Sequence, residues 1–135
     1  MKKITIILFI LILTLSACAG NSVSLAGEWT LISYGNASNP TLALPDAETS
    51  LTFGTDGQFG GNVGCNSLGA GYQVSGNQVT FEGVISTLMF CEETMYQESA
   101  VLKILSKKTL NIELNGNQLT LTSQDGSSVI VLEKK

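Results

Sequence analysis

The sequence predicts a small, mainly β domain: an antiparallel curled sheet or barrel of about eight strands with one helix. Three observations carry that expectation. Turn pairs recur at Asp56-Gly57, Gly76-Asn77, Asn115-Gly116 and Asp125-Gly126. The stretches between them alternate apolar with polar residues, and one segment, Thr94 to Lys108, switches to helical spacing. Such turn pairs supply the positive backbone angles that tight hairpins need, while a two-residue period marks strands with one buried face. Curling the sheet onto itself also removes its exposed edges.

The chain before this domain has a different character. Lys2 and Lys3 precede an apolar run from Ile4 to Leu15 that is too short to cross a bilayer as a stable helix and has the layout of a secretory signal. It ends in Leu15-Ser16-Ala17-Cys18, which resembles the lipobox of bacterial lipoproteins, where the cysteine takes a diacylglycerol and the signal is cut just before it. Each buried methylene contributes about 0.8 kcal/mol, so two or three acyl chains hold a protein durably to a bilayer. The expected organisation is a signal over residues 1–17, a lipidated Cys18 with a short tether over residues 18–24, and a folded domain over residues 25–135. The six residues Ala19 to Ser24 reach on the order of 20 Å when extended, which keeps the domain close to its membrane. Ala19, in place of an aspartate, fits an outer-membrane anchor facing the periplasm of a Gram-negative cell. In a Gram-positive cell the same signal implies the outer face of the plasma membrane.

Strands are expected at Gly27–Tyr34, Thr49–Phe53, Gln58–Asn62, Tyr72–Ser75, Gln78–Glu82, Thr109–Asn115, Gln118–Ser123 and Ser128–Glu133. Their inward faces are Trp29 with Leu31, Leu51 with Phe53, Tyr72 with Val74, Val79 with Phe81, Ile112 with Leu114, and Leu119 with Leu121. The helix, Thr94 to Lys108, is marked by Val101, Ile104, Leu105 and Lys108. Thr94 with Gln97 suits a capping box, Glu92, Glu93 and Glu98 crowd its start, and Lys103, Lys107 and Lys108 its end, in agreement with the helix dipole. The connection Gly35 to Glu48 holds both prolines and no clear period, and Asn39, Pro40, Leu42 and Pro45 make it a candidate partner loop. The strings VSGNQVTF and LNGNQLTL echo each other, as hairpins built on the same local rules do.

Composition narrows function. Removing Lys2 and Lys3 leaves five lysines against eleven acidic residues, a net charge near −6, and the chain has no arginine. Nucleic acid is therefore an unexpected partner. Histidine is absent, which removes the usual catalytic triads, the commonest general base near neutral pH and the usual zinc ligand sets. No cofactor, metal or catalytic residue is expected. Asp46, Glu48, Asp56 and Glu82 are the carboxylates from which a hydrolytic pair would have to come, but no spacing singles out two of them.

The stretch FGGNVGCNSLGAGY sets Cys65 among five glycines. It lacks a Gly-Lys-Ser/Thr ending and a following helical period, so it is not a phosphate loop. Cys65 has no histidine to take its proton. With Cys18 lipidated in an oxidising compartment, Cys65 and Cys91 are the remaining pair. A crosslink between them would restrict the unfolded chain by roughly 3.5 kcal/mol on the loop-entropy model. Two buried free thiols are the alternative.

The segments LAGEWTLISY, LTFGTDGQFGGNVGCN, GYQVSGNQVTF and ISTLMFC, in this order, resemble the META domain of HslJ-type envelope lipoproteins. The resemblance covers about Leu25 to Leu132 and places Cys65 and Cys91 at the family's cysteine positions. It implies a small barrel-like fold with one helix, in secreted or outer-membrane-anchored proteins associated with envelope stress and without established enzymatic activity. Leu68 and Ala70 stand where the family has an aromatic residue and a glycine, with glycine displaced to Gly69 and Gly71, so the turn there is expected to be built differently. The function expected is a non-catalytic binding or stabilising role for an envelope protein partner. The alternative is a carrier that holds an apolar or lipid ligand inside the barrel.

Overall fold

The structure is a computed structural model that describes residues 22–135. The signal and Cys18 lie outside the described residues. The elements follow in the order β1 (Gly27–Asn36), β2 (Thr41–Leu42), β3 (Ser50–Phe53), β4 (Gln58–Asn62), β5 (Ser67–Ser75), β6 (Gln78–Ser86), α1 (Met95–Leu105), β7 (Thr109–Asn115), β8 (Gln118–Ser123) and β9 (Ser128–Lys134). Neighbouring strands are antiparallel, and β1 pairs with both β3 and β9, so eight strands close into a barrel. The short β2 is an appendage on β1, through Ser33↔Leu42 and Tyr34↔Thr41.

Hairpin connectivity gives the barrel two unlike ends. One end carries the turns after β3, β5 and β7, the start of β1 and the end of β9. At Gly76 and Gly116 the turns there use a glycine at φ +59°, the local rule behind the repeated strings. The other end carries the β4–β5 connection, the end of β6, α1 and the turn between β8 and β9.

Side chains fill the interior. Phe53 lies 4.7 Å from Phe59, 5.0 Å from Tyr72 and 6.2 Å from Phe81, measured between ring centroids, while Phe59 and Phe81 meet at 5.0 Å. Trp29 is buried and donates its indole N–H to the Leu25 carbonyl at 2.9 Å, which sets Leu25 into the core just before β1. From the other end α1 contributes Val101, Ile104 and Leu105 to the same cluster. Burying side chains of this size stabilises the fold by roughly 1.5–3 kcal/mol each. The glycines of the FGGN stretch permit tight strand approach: a β-carbon on Gly61, at φ +141°, would stand 1.9 Å from the Ser50 carbonyl oxygen.

The structure departs from the sequence reading in several places. β5 begins at Ser67, so Leu68 and Ala70 are buried strand residues and the expected turn does not fall there. β6 runs on to Ser86 past a bulge, where Gly83 takes φ +61°. The helix is shorter than expected: it ends at Leu105, and Lys108, at φ +74°, is an exposed turn residue rather than part of the helical face. Leu114 is exposed because its strand runs out toward the hairpin, beyond the part of the barrel that covers it.

The disulfide end of the barrel as candidate functional site

Cys65 and Cys91 are joined by a disulfide across a Cα–Cα distance of 6.3 Å. It connects the β4–β5 connection to the segment between β6 and α1. Asn66 fastens the same two segments with its side chain. Its carbonyl oxygen accepts from the Thr87 hydroxyl at 2.8 Å and the Met89 N–H at 2.7 Å, and its NH2 donates to the Met89 carbonyl at 3.0 Å and to Glu98 Oε2 at 2.6 Å. The Gly-Cys-Asn and Ser-Thr-x-Met-x-Cys strings are thus two halves of one clamp.

Glu98 is the third part. On the first turns of α1 it is buried, and its Oε1 accepts from the Thr94 hydroxyl at 2.8 Å, the Asn66 N–H at 3.1 Å and the Cys65 N–H. Burial acts to raise its pKa, but the donors from Asn66, Cys65 and Thr94 outweigh burial and hold the carboxyl below its ordinary value. Gly64 admits this arrangement, since a β-carbon there would lie 2.6 Å from Glu98 Oε1 and 2.7 Å from Thr94 Cβ.

Gln97, also buried, accepts from the Leu44 N–H at 2.8 Å and donates to the Val63 carbonyl at 2.6 Å. It ties the long β1–β3 connection to the barrel rim. The expected capping box is therefore not formed: Thr94 makes no side-chain cap bond to the helix backbone, because its hydroxyl serves Glu98 and Gln97 turns inward. Sequence reasoning missed the inward roles of both residues. A signal was present, since Gln97 and Glu98 lie four and three residues before Val101 and so fall on the apolar helical face.

The clamp displays an apolar surface. Leu88 is 95% exposed and Phe90 79%, with Met89, Met95 and Tyr96 also exposed beside them. A shallow groove of about 220 Å³ runs between this segment and α1, lined by Leu88, Phe90, Met95 and Leu102 among others. Fixing a segment with three bonds from the Asn66 side chain and a crosslink while leaving its leucine, methionine and phenylalanine in water suits an interaction surface.

Of the candidate residues, Asn39, Pro40, Leu42 and Pro45 are all exposed, and the connection they occupy meets the disulfide end through Gln97. Asp46 and Glu48 share a groove of about 550 Å³ with Glu92 and Glu93, floored by the disulfide. Asp56 lies in the turn after β3, where it accepts from the Gln58 N–H, and Glu82 lies on β6. Of the four candidate carboxylates, Asp46 and Glu48 thus line one groove, and neither Asp56 nor Glu82 lines it. Among the described residues no group of three His, Cys, Asp or Glu side chains is placed to hold a metal ion.

The arrangement has relatives. Solved structures similar to this one include an NMR structure of a protein from Burkholderia xenovorans, with TM-score 0.66 and 19% identity over 81% of each chain. A second NMR structure matches with TM-score 0.58 and 19% identity, over 78% of this chain and 86% of the other. The crystal structure of a DUF4847 family protein from Bacteroides vulgatus matches with TM-score 0.63 and 14% identity, over 82% of this chain and 93% of the other. At such identities these likenesses show the fold alone. No curated protein matches the chain. The META domain model matches residues 22–135, all of the barrel and its clamp, and the chain belongs to the META domain family.

Proposed function

We propose that this protein is a lipid-anchored envelope lipoprotein whose META domain binds a protein partner, catalyses nothing, and contributes to envelope stress tolerance. The observation that carries the reading is the exposed apolar segment Leu88–Phe90, held in place by Asn66 and the disulfide. It sits at the barrel end opposite the start of β1, from which the chain leads back to Cys18. A short tether at one end and a rigid apolar surface at the other suit a module fixed to its membrane and presented to a neighbour. The interior that a carrier would need is occupied by Phe53, Phe59, Tyr72 and Phe81, so binding on the outer surface is the better-supported reading. The anchor faces the periplasm from the outer membrane in a Gram-negative host, or lies on the outer face of the plasma membrane in a Gram-positive one.

Two experiments test this. Cys18→Ala should move the chain out of the membrane fraction. A photo-crosslinking amino acid at Phe90, but not at the exposed Gln73 on the barrel wall, should give a discrete protein adduct in intact cells. Equal adducts at both positions, or none at Phe90, would reject the binding reading.

A further inference from the structure

Glu98 is a buried charge with no cation beside it. It is 5% exposed, all its donors come from Thr94, Cys65 and Asn66, and the ion pairs among the described residues, Lys107 with Asp125 and Lys135 with Glu28, lie elsewhere. A carboxylate taken out of water keeps its charge only where donors or a counter-charge meet it. Here the clamp supplies donors alone.

The two carboxylate oxygens are used unequally. Oε1 accepts three bonds, from the Thr94 hydroxyl and the N–H groups of Cys65 and Asn66, whereas Oε2 accepts one, from the Asn66 side chain. An ionised carboxylate offers about four lone-pair positions, two on each oxygen. Oε1 is therefore saturated, and Oε2 keeps capacity for one more donor.

That carboxylate lines the groove of about 220 Å³ between the Leu88–Phe90 segment and α1, together with Ser86 and Ser99 and the apolar Leu88, Phe90, Met95 and Leu102. No basic residue lines it among the described residues. Because Glu98 is buried while Leu88 and Phe90 stand in water, the charge lies deeper than the apolar walls. Such a groove is complementary to a cation carried on an apolar stem.

We propose that the groove takes the side chain of a lysine from a partner protein, its four-carbon stem laid along Phe90 and Leu102 and its ammonium donating to Glu98 Oε2. This rests on the binding reading above and names the partner residue that the surface recognises. An ammonium has three N–H donors, and the hydroxyl oxygens of Ser86 and Ser99 in the same groove are acceptors for the other two. Arginine fits less well. Its planar fork seeks both oxygens of a carboxylate side by side, and Oε1 already holds three donors, whereas an ammonium is a point charge that one oxygen can meet.

The test titrates n-butylammonium, n-butanol and n-butylguanidinium into the full chain purified in detergent, with backbone amide resonances as the readout. n-Butylammonium should shift the resonances of Ser86, Leu88, Glu98 and Leu102 saturably, binding roughly tenfold tighter than n-butanol and severalfold tighter than n-butylguanidinium. Glu98→Gln should remove the preference over n-butanol. Phe90→Ser, on the exposed wall, should weaken all three ligands with the circular dichroism spectrum unchanged, and the wild-type comparison decides the matter if Glu98→Gln does not fold. In intact cells, the partner peptide recovered in the Phe90 adduct should contain a lysine whose change to glutamine abolishes the adduct. Equal response to n-butanol, a stronger response to n-butylguanidinium, or an adduct peptide without lysine overturns the assignment. In each of those cases a persisting Phe90 adduct means that lysine recognition falls while the binding reading stands. If no adduct forms, both fall, even where the groove takes the free amine.

Discussion

The side-chain amide of Asn66 donates to the Glu98 carboxylate across 2.6 Å, joining the residue after one cysteine to the helix that follows the other. Glu98 is also the carboxylate that accepts from the N–H groups of Cys65 and Asn66. Replacing it with glutamine leaves an amide group where several donors need acceptors. Glu98→Gln should lower unfolding free energy by about 2 to 3 kcal/mol in urea titrations, in line with hydrogen bonds to a buried charged group. A loss below 0.5 kcal/mol, roughly that of an ordinary surface change, would show that the clamp contributes little.

Acid should act through the same residue. The Glu98 pKa in the folded chain lies below its ordinary value of 4.5, so its stabilisation is complete above that pH and is lost as pH falls through the folded value. Glu28 and Asp125 are also lowered, the first by Lys135 and the second by hydrogen bonds from Ser123 and Ser127, and both remain in a Glu98→Gln variant. Stability of the wild type should therefore drop more steeply than that of the variant below pH 4.5. Parallel curves would assign acid sensitivity to other carboxylates.

Gly61 offers a steric prediction with its own control. Gly61→Ala must push the Ser50 carbonyl out of the β3–β4 ladder, so a loss above about 3 kcal/mol or failure to fold is expected. Gly116→Ala, also at positive φ but with open space around the new β-carbon, should cost about 1 kcal/mol. Thermal melts of the two variants side by side measure the difference, and equal losses would contradict it.

Removing the crosslink should weaken the fold without erasing it. The disulfide spans 26 residues, and the Cys65→Ala, Cys91→Ala double variant should lose about 3.5 kcal/mol on the loop-entropy model. Asn66 still holds Met89 in that variant, so the protein should stay folded at room temperature, as judged by near-ultraviolet circular dichroism.

Gln97→Ala should act locally. It frees the Leu44 N–H and the Val63 carbonyl, and the connection between β1 and β3 then loses its tie to α1. Hydrogen exchange should quicken first around Leu44, before any change in the β8–β9 hairpin. Uniform acceleration would instead mean that Gln97 supports the whole barrel.

Much of this architecture was readable along the chain. Period-two alternation and glycine-bearing turns marked the hairpins, and inward residues such as Trp29, Leu51, Phe53, Val79 and Leu121 are buried where alternation put them. These signals are local: a strand's pleat and a turn's φ depend on a few adjacent residues. The helix was visible too, but its polar inner residues were not read correctly. Gln97 and Glu98 look like capping and dipole residues because their partners, Leu44, Val63, Cys65 and Asn66, are more than thirty residues away.

What the sequence determined by itself is the barrel's parts, their order and the pair of cysteines, since each follows from spacing within a short window. What only tertiary structure decided is the clamp and the groove beside it. Whether a buried carboxylate is stabilised depends on donors that folding brings to it from distant strands. Which residues wall the groove depends on how Asn66 and the disulfide hold Leu88 and Phe90 beside α1. Those are distances between remote segments, and alternation along a strand carries no information about them.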